Sequence, residues 1–185
     1  MRFSETKKAG VRAEQEVVSL LKRHTKFVYS NVRVDTLLTK SGDTEIDVIA
    51  AIGDCILVVE VKHIQAVEGG PFDNYWDMIG LSSGEHYKAL SPLTQNRIHV
   101  RSLKDAWYAV RKEWPKIVSL VVVPDVCEIT EGNRRAGMLH MSEFTEKLYS
   151  LSKTAPSPVY GYKLEFIFKQ DDGHMHRSDL KGGAC

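Results

Sequence analysis

The sequence predicts one α/β domain in which helices flank a mixed central β-sheet. Apolar residues repeat with a helical period in some segments and with a strand period in others. Two strand-like segments are separated by only two residues, which predicts a hairpin. Ile117–Val123 is an apolar run broken only by Ser119, which is typical of a strand buried on both faces. These three observations together favour helices packed on a mixed sheet.

The first half of the chain predicts one helix and three strands. Residues 10–24 carry an apolar stripe with helical spacing, which includes Val17 and Leu21. The strands are predicted at residues 27–34, 44–52 and 55–61. Gly53-Asp54 forms the turn between the last two, with Gly in the first position, as a type II′ turn favours.

The second half of the chain adds a hairpin, two helices and two strands. Residues 75–81 and 85–90 predict the hairpin. Ser91 and Pro92 predict the start of a long helix, with Ser as N-cap and Pro in the first helical position. Pro115 ends this helix, and the buried strand Ile117–Val123 follows. The remaining elements are a helix at residues 143–151 and an alternating strand at residues 160–168.

The length and composition fit one domain that carries little net charge. The chain has 185 residues, of which 43 % are apolar and 26 % charged, and its formal net charge is +1. We place the domain at residues 1–169, with a polar, mobile tail at residues 170–185. A protein that binds nucleic acid by bulk charge alone would be more basic, so any such contact requires a local basic patch.

The cysteines and the apolar runs favour a cytoplasmic location. The chain has 3 cysteines without a CxxC spacing, which argues against a disulfide framework and against a zinc site. No apolar run has the length of a membrane span, and the first residues lack the apolar stretch of a signal peptide. We therefore expect no membrane partner; the oligomeric state is not predicted.

The predicted hairpin turn defines which residues face each other across the two strands. Side chains alternate between the two faces of a strand. One face is predicted to be wholly apolar and to end with Ile46 opposite Val61. The other face begins apolar near the turn and ends in charged pairs, which are Asp47 opposite Glu60 and Glu45 opposite Lys62.

The charged end of the hairpin predicts a metal site. Asp47 and Glu60 would repel each other beside the core, and a hard divalent cation such as Mg²⁺ or Mn²⁺ removes that repulsion. The carbonyl of Val61 is a further ligand, and Lys62 would stabilise charge on a phosphate or position the attacking water. The alternative is a solvent-facing charged patch in which Glu45 and Lys62 form an ion pair.

Glu14 and Gln95 are further candidates for the same site. Glu14 interrupts the apolar stripe of the first helix, so it either reaches the metal or its waters or extends to solvent. Gln95 lies in the first turns of the long helix, where free N–H groups favour phosphate, and His99 follows one turn later. The alternative is that Gln95 has no role beyond the helix surface.

Basic and aromatic side chains provide candidate nucleic-acid contacts. Arg97, Arg101 and Lys104 recur with helical spacing opposite the apolar stripe and would follow a nucleic-acid backbone; the alternative is a solvated face. Four aromatic residues of the hairpin region would either stack on bases or pack the hairpin. They are Phe72, Tyr75, Trp76 and Tyr87.

The order of these residues resembles the nuclease-related domain (NERD) family of the PD-(D/E)XK nucleases. The matching segments lie between residues 10 and about 125, and they are GVRAEQEV, GDTEID, ILVVEVKH, the Trp76 hairpin and SPLTQNRIHVRSLK. The resemblance implies a restriction-endonuclease-like αβββαβ core and phosphodiester cleavage. Its functional positions match Glu14, Asp47, Glu60, Lys62 and Gln95. One departure is Ala13, where the family usually has Gly.

The leading hypothesis is therefore a nuclease that depends on Mg²⁺ or Mn²⁺ and acts on nucleic acid, with DNA as the expected substrate. The alternative is a catalytically silent module with the same fold that binds nucleic acid or has a structural role. A nucleotide hydrolase is disfavoured because the chain has no Gly-rich phosphate loop. The sequence does not distinguish DNA from RNA, or endonuclease from exonuclease cleavage.

Overall fold

A computed structural model describes residues 2–154, 160–164 and 174–175. The helices are α1 (Arg2–Lys22), α2 (Pro92–Arg111), α3 (Glu131–Arg135) and α4 (Met141–Ser152). The strands are β1 (Val28–Asp35), β2 (Asp43–Ile52), β3 (Cys55–Val61), β4 (Ile64–Glu68), β5 (Tyr75–Gly80), β6 (His86–Leu90), β7 (Ile117–Val123), β8 (Met138–His140) and β9 (His174–Met175). None of the helices in these ranges is long and apolar enough to cross a membrane.

The main sheet has six strands in the order β8-β7-β3-β2-β1-β9. The hairpin strands β1, β2 and β3 pair antiparallel, whereas β7 lies parallel to both β3 and β8. A second sheet, β4-β5-β6, is antiparallel and is inserted between β3 and α2. The predicted mixed sheet and the αβββαβ order are thereby confirmed.

Helices cover both faces of the main sheet, which places the central strands in the core. On one face, Val17 and Leu21 of α1 pack with Phe144 and Leu148 of α4. On the other face, α2 contributes Leu103, Trp107 and their neighbours. β3 is buried along its whole length because it lies between both layers.

The second sheet is attached to the main domain by a separate apolar cluster. Trp76 and Met78 of β5 are buried there with Leu93 of α2 and Val121 of β7. This cluster holds the β4-β5-β6 sheet beside the start of α2. The predicted hairpin at residues 75–90 is confirmed as β5 and β6. The third strand of this sheet, β4, was not predicted.

The register of the β2–β3 hairpin is confirmed near its turn. Five directly opposed pairs run from Ile52–Cys55 to Val48–Val59. Gly53 has a φ of 53°, a value that glycine adopts without the cost a Cβ would add. The turn residues therefore set the pairing, as expected for a two-residue hairpin loop.

The predicted alternation of faces fails at Asp47. Val48 packs on the α1 side, whereas Ile46 packs on the α2 side with Val32 and Val34. The expectation that Ile46 and Val48 share one apolar face is therefore wrong. On the neighbouring strand Asn31 has a φ of 55°, so the backbone of β1 is also irregular at this level.

The ends of the helices differ from the sequence expectations in part. α1 begins at Arg2 and not near residue 10. The start of α2 is confirmed, because Ser91 Oγ accepts a hydrogen bond from the backbone N–H of Thr94 and Pro92 is its first residue. The last residue of α2 is Arg111, and the C-cap residue Lys112, whose φ is 57°, stops the helix before Pro115.

The C-terminal region contains the largest error of the sequence analysis. Residues 160–164 are helical, so the strand predicted at residues 160–168 is wrong for that part. The buried Leu164 packs on the α2 side of the sheet, where an apolar residue stabilises a helix as readily as a strand. Residues 165–168 and most of the predicted tail lie outside the described residues, and His174–Met175 pairs with β1.

Candidate active site

The β2–β3 hairpin opens at the level of Asp47. The paired ladder ends at Val48–Val59, and the Oδ2 atom of Asp47 accepts a hydrogen bond of 2.8 Å from the backbone N–H of Val61. A side-chain carboxylate thus occupies the place of a backbone acceptor. The sequence correctly brings Asp47 to the end of β3, but the two strands are no longer hydrogen-bonded to each other there.

Opening of the hairpin also exposes the backbone of Val61 toward the site. In a strand, the N–H and C=O groups of one residue point to the same side. The N–H of Val61 points to Asp47, whereas the adjacent N–H of Lys62 points to β7 and donates to Val122 O at 2.9 Å. The carbonyl of Val61 therefore also points to the Asp47 side.

Glu60 is the most buried charged group in the region. Its side chain is 0 % exposed, with Lys62 Nζ 2.6 Å from Oε1 and His99 Nδ1 3.3 Å from Oε2. Apart from these two contacts, neither oxygen has a hydrogen-bond partner among the described residues. Burial raises the pKa of Glu60 to about 8, against the opposing charge of Lys62.

Lys62 pairs with Glu60 and not with Glu45. Burial lowers the pKa of Lys62, but the carboxylates of Glu60 and Asp47 outweigh it and raise that pKa above its ordinary value. The ammonium therefore keeps its charge. Glu45 instead lies across from Arg33, with Oε2 3.3 Å from Nε, so the ion pair between Glu45 and Lys62 that the alternative required does not form.

Two further carboxyl groups belong to the same electrostatic cluster. Burial raises the pKa of Asp47, although the Val61 N–H and Lys62 oppose the shift. Burial also raises the pKa of Glu14, and the nearby charges of Asp47 and Glu45 add to it. Three carboxyl groups thus share a region in which burial and mutual repulsion disfavour negative charge.

The described side chains do not by themselves supply all the ligands of a metal ion. Across the described ranges, no group of three or more His, Cys, Asp or Glu side chains is arranged to hold a metal ion. Mg²⁺ commonly uses one or two protein carboxylates and completes its shell with water and substrate phosphate. Asp47 and Glu60, together with the Val61 carbonyl, match that smaller requirement.

Gln95 and His99 line an open cleft beside Glu60. The cleft has a volume of about 350 Å³ and also contains residues of β1, β2 and their connecting loop. Arg33 and Glu45 lie on its opposite wall. His99 contacts Glu60 and so joins this cleft to the carboxylate cluster, whereas Val61 and Lys62 line a separate hollow of about 140 Å³. Gln95 lies one helical turn nearer the start of α2.

The three basic residues proposed for nucleic-acid binding have different environments. The guanidinium of Arg97 donates to Pro71 O at 2.9 Å and to Thr94 Oγ1 at 2.5 Å, which ties α2 to the loop between β4 and β5. Arg101 is exposed and pairs with Asp105 at 3.0 Å. Lys104 is half-buried. A role in nucleic-acid binding stays a prediction for all three, and Arg97 already has a structural one.

The aromatic residues of the hairpin region separate into packing and exposed groups. Trp76 is fully buried, and its Nε1 donates to Gly70 O at 3.0 Å, so its role is packing. Phe72 and Tyr75 are exposed. Tyr87 lies directly opposite Met78 and close enough to Lys62 for the two side chains to shift each other's pKa.

His99 is the site residue whose role sequence reasoning missed. It lies on the buried face of α2 between Asn96 and Leu103, and Asn96 and Ser102 are also buried polar residues of this helix. A polar residue beside the apolar Val100 and Leu103, together with the four-residue spacing from Gln95, was the available signal. Only the packed structure shows that the partner of His99 is Glu60.

Comparison with known proteins gives one match. The family described as nuclease-related domain matches residues 9–124, a span that includes every candidate site residue from Glu14 to Lys104. No curated protein and no solved structure matches the chain.

Proposed function

The chain belongs to the nuclease-related domain family, and we propose that it is a divalent-metal-dependent nuclease that hydrolyses phosphodiester bonds of nucleic acid. DNA is the expected substrate. The observation that carries the proposal is the buried carboxylate of Glu60, which lies beside a charged lysine and interacts with Asp47 and Glu14. Such a perturbed cluster at the end of a cleft is typical of a functional site.

The residues present fit Mg²⁺ or Mn²⁺. Leaving a buried polar group without a hydrogen-bond partner costs about 1–3 kcal/mol, and Oε2 of Glu60 has only the 3.3 Å contact with His99. A cation would stabilise the ionised form of Glu60, whose pKa is raised to about 8 without one. Asp47, Glu60 and the Val61 carbonyl would hold it, and Glu14 would hold one of its waters or complete the shell. When bound, the metal polarises a phosphoryl oxygen and lowers the pKa of a bound water.

Lys62 contributes a positive charge at a defined place. Its ammonium is held 2.6 Å from Glu60 and keeps its proton near neutral pH. Lys62 and Val61 line a hollow of about 140 Å³, and a phosphate bound there would meet this charge next to the carboxylates. Lys62 then stabilises negative charge that develops on the phosphate oxygens or orients the attacking water.

Asp47 and Gln95 position the reacting groups. The hydrogen bond from Val61 uses only Oδ2 of Asp47, so the other oxygen remains for a ligand. Gln95 lines the cleft near the start of α2, where its amide can bind a phosphate oxygen or a water. Arg101 and Lys104 would contact the backbone of the bound strand, after Arg101 releases Asp105.

The silent-module alternative is favoured by one specific observation. The Lys62 ammonium already lies against Oε1 of Glu60 and neutralises that carboxylate without a metal. A protein that kept this ion pair permanently would bind nucleic acid without cutting it. The two hypotheses differ in whether Glu60 binds a divalent cation or keeps its ion pair with Lys62.

A cleavage assay separates the two functions. The protein is incubated with Mg²⁺, Mn²⁺ or EDTA and with linear, circular, single-stranded and double-stranded DNA, beside the corresponding RNAs. We expect cleavage only with a metal, and none from Glu60→Gln, which keeps the shape of the side chain. Metal-independent binding without cleavage on every substrate would overturn the nuclease proposal and favour the silent module.

A further inference from the structure

His99 and Lys62 contact different oxygens of the Glu60 carboxylate. Its side chain is 2 % exposed, and its Nδ1 atom is 3.3 Å from Oε2 of Glu60. Both atoms are buried, and neither has a hydrogen-bond partner elsewhere in the described ranges. Contacts at active sites are often long or misaligned before ligands bind. Each atom is therefore the partner available to the other.

His99 is suited to donate a hydrogen bond without adding charge. Burial, and to a smaller extent the positive charge of Lys62, together lower its pKa to about 4, so the neutral ring is favoured. A neutral imidazole has one N–H donor, and its position depends on the neighbouring groups. An ionised Glu60 only accepts, so Nδ1 must carry the hydrogen when Glu60 is a carboxylate.

The backbone of α2 at His99 is held firmly against the sheet. One turn earlier, the buried side-chain amide of Asn96 contacts the carbonyls of Leu120 at 2.8 Å and Val58 at 3.3 Å, and the hydroxyl of Ser119 at 3.0 Å. These contacts connect α2 to β3, which carries Glu60, and to its parallel neighbour β7. The imidazole is consequently presented from a rigid element.

We propose that His99 is a positioning residue for Glu60, which the proposed function makes a metal ligand. Its Nδ1–H donates to Oε2, which leaves Oε1 to face Lys62 and the cation. This inference rests on the proposed function and extends it to a residue that contacts neither metal nor substrate. Partners that orient metal ligands typically change metal affinity or activity by about 10–100-fold.

Two substitutions test this role through metal affinity. His99→Leu keeps an apolar side chain of similar size but removes the donor, and His99→Asn keeps an N–H near the place of Nδ1. We expect His99→Leu to weaken Mn²⁺ binding at least about tenfold in calorimetric titration and His99→Asn to restore most of it. Val100→Ala is the matched control, since it lowers the unfolding temperature through lost packing and leaves Mn²⁺ affinity unchanged.

The result that overturns the proposal is parental Mn²⁺ affinity in His99→Leu, or equal losses in His99→Leu and His99→Asn. A second measurement uses only the wild-type protein and so does not depend on how the variants fold. Nitrogen-15 NMR of the histidine rings at pH 9 without metal should show His99 with its hydrogen on Nδ1. Hydrogen on Nε2 instead would contradict the proposed contact.

The two measurements separate this inference from the proposed function. A wild-type protein that binds no Mn²⁺ would refute the metal-dependent nuclease, whatever the tautomer of His99. A wild-type protein that binds Mn²⁺, with His99 carrying its hydrogen on Nε2, would leave the nuclease proposal intact and remove His99 from the site.

Discussion

At the level of single residues, the chemistry depends on how Glu60 is neutralised. A fully buried carboxylate requires a cation, a proton or strong hydrogen bonds. Lys62 supplies a positive charge on one side, His99 a neutral ring on the other, and Asp47 and Glu14 add repulsion. The surplus of carboxyl groups over cationic side chains is what a divalent metal would balance.

Asp47 and Lys62 are predicted to have separable roles. Asp47→Ala removes an oxygen ligand and should abolish both Mn²⁺ binding and cleavage. Lys62→Ala should lower cleavage by at least about a hundredfold, as loss of one electrostatic stabiliser does, yet leave the metal bound. The metal can bind slightly more tightly in that variant because a nearby positive charge is gone. Calorimetric Mn²⁺ titration beside a cleavage assay measures both.

Glu131→Gln is the matched control for these variants, since Glu131 is an exposed carboxylate of α3 that pairs with Arg135. It should bind Mn²⁺ like the parent. Wild-type cleavage by Lys62→Ala, or unchanged Mn²⁺ binding by Asp47→Ala, would show that the assigned roles are wrong.

At the level of elements, two features bring the site together: the β2–β3 hairpin and the first turns of α2. The tight turn at Gly53-Asp54 aligns the strands, so Asp47 arrives beside the end of β3. The Ser91 cap and the Asn96 amide then place α2 above β3. Each element alone carries part of the site, and their packing joins the parts.

The turn of the hairpin offers a test of the register. Gly53→Ala should destabilise the protein, because Ala at a positive φ costs about 1–2 kcal/mol and its Cβ would also lie 2.0 Å from Thr154 Oγ1. Gly84→Ala is the matched control, with a φ of 66° and no heavy atom within 4 Å of the added Cβ. Urea unfolding measures both. Equal losses would mean that contact with Thr154 contributes nothing.

The basic face of α2 offers a test of nucleic-acid contact. The double variant Arg101→Gln and Lys104→Gln should weaken binding about equally on all sequences and lower the slope of log affinity against log salt by about 2. Lys147→Gln, on the exposed surface of α4, is the control and should bind like the parent. An unchanged salt slope in the double variant would show that this face of α2 contacts solvent and not nucleic acid.

At the level of the whole molecule, the site is built where three layers meet. α1 supplies Glu14 from one face of the sheet, β2 and β3 supply the central carboxylates, and α2 supplies Gln95 and His99 from the other face. The second sheet closes one side through the cluster around Trp76. Stability and site geometry are therefore coupled, because the carboxylates lie at the edge of the core that holds the layers together.

This coupling predicts a pH dependence of stability in the metal-free protein. The pKa of Glu60 rises from 4.5 to about 8 on folding, so the folded state holds this proton more tightly than the unfolded state. The stabilisation is fully present below pH 4.5 and is lost as pH rises to about 8. Thermal unfolding of the parent and of Glu60→Gln should therefore diverge progressively over this range.

The comparison between those two proteins is needed because other groups titrate in the same range, His99 among them. The free energy of unfolding of the parent minus that of Glu60→Gln should become steadily lower as pH rises and then level off above pH 8. A difference that is constant between pH 5 and pH 8 would contradict the raised pKa of Glu60.

Local patterns in the sequence were sufficient to predict the β2–β3 hairpin, the start of α2 and the central residues of the candidate site. Strand alternation and a two-residue turn predicted the register from Val48–Val59 to Ile52–Cys55, and Ser91 with Pro92 predicted the start of α2. These features depend on neighbours close in sequence, where side-chain direction follows a fixed period. Glu60 and Lys62 were therefore placed on one side of β3 without any knowledge of the fold.

Contacts between distant segments required the folded structure. The hairpin opens at Asp47, Lys62 pairs with Glu60, Arg97 is tied to Pro71, and residues 160–164 form a helix. The His99–Glu60 contact joins residues far apart in the chain. Periodicity states which face a side chain occupies, but the neighbour on that face depends on how separate layers pack and on which partner relieves each buried charge.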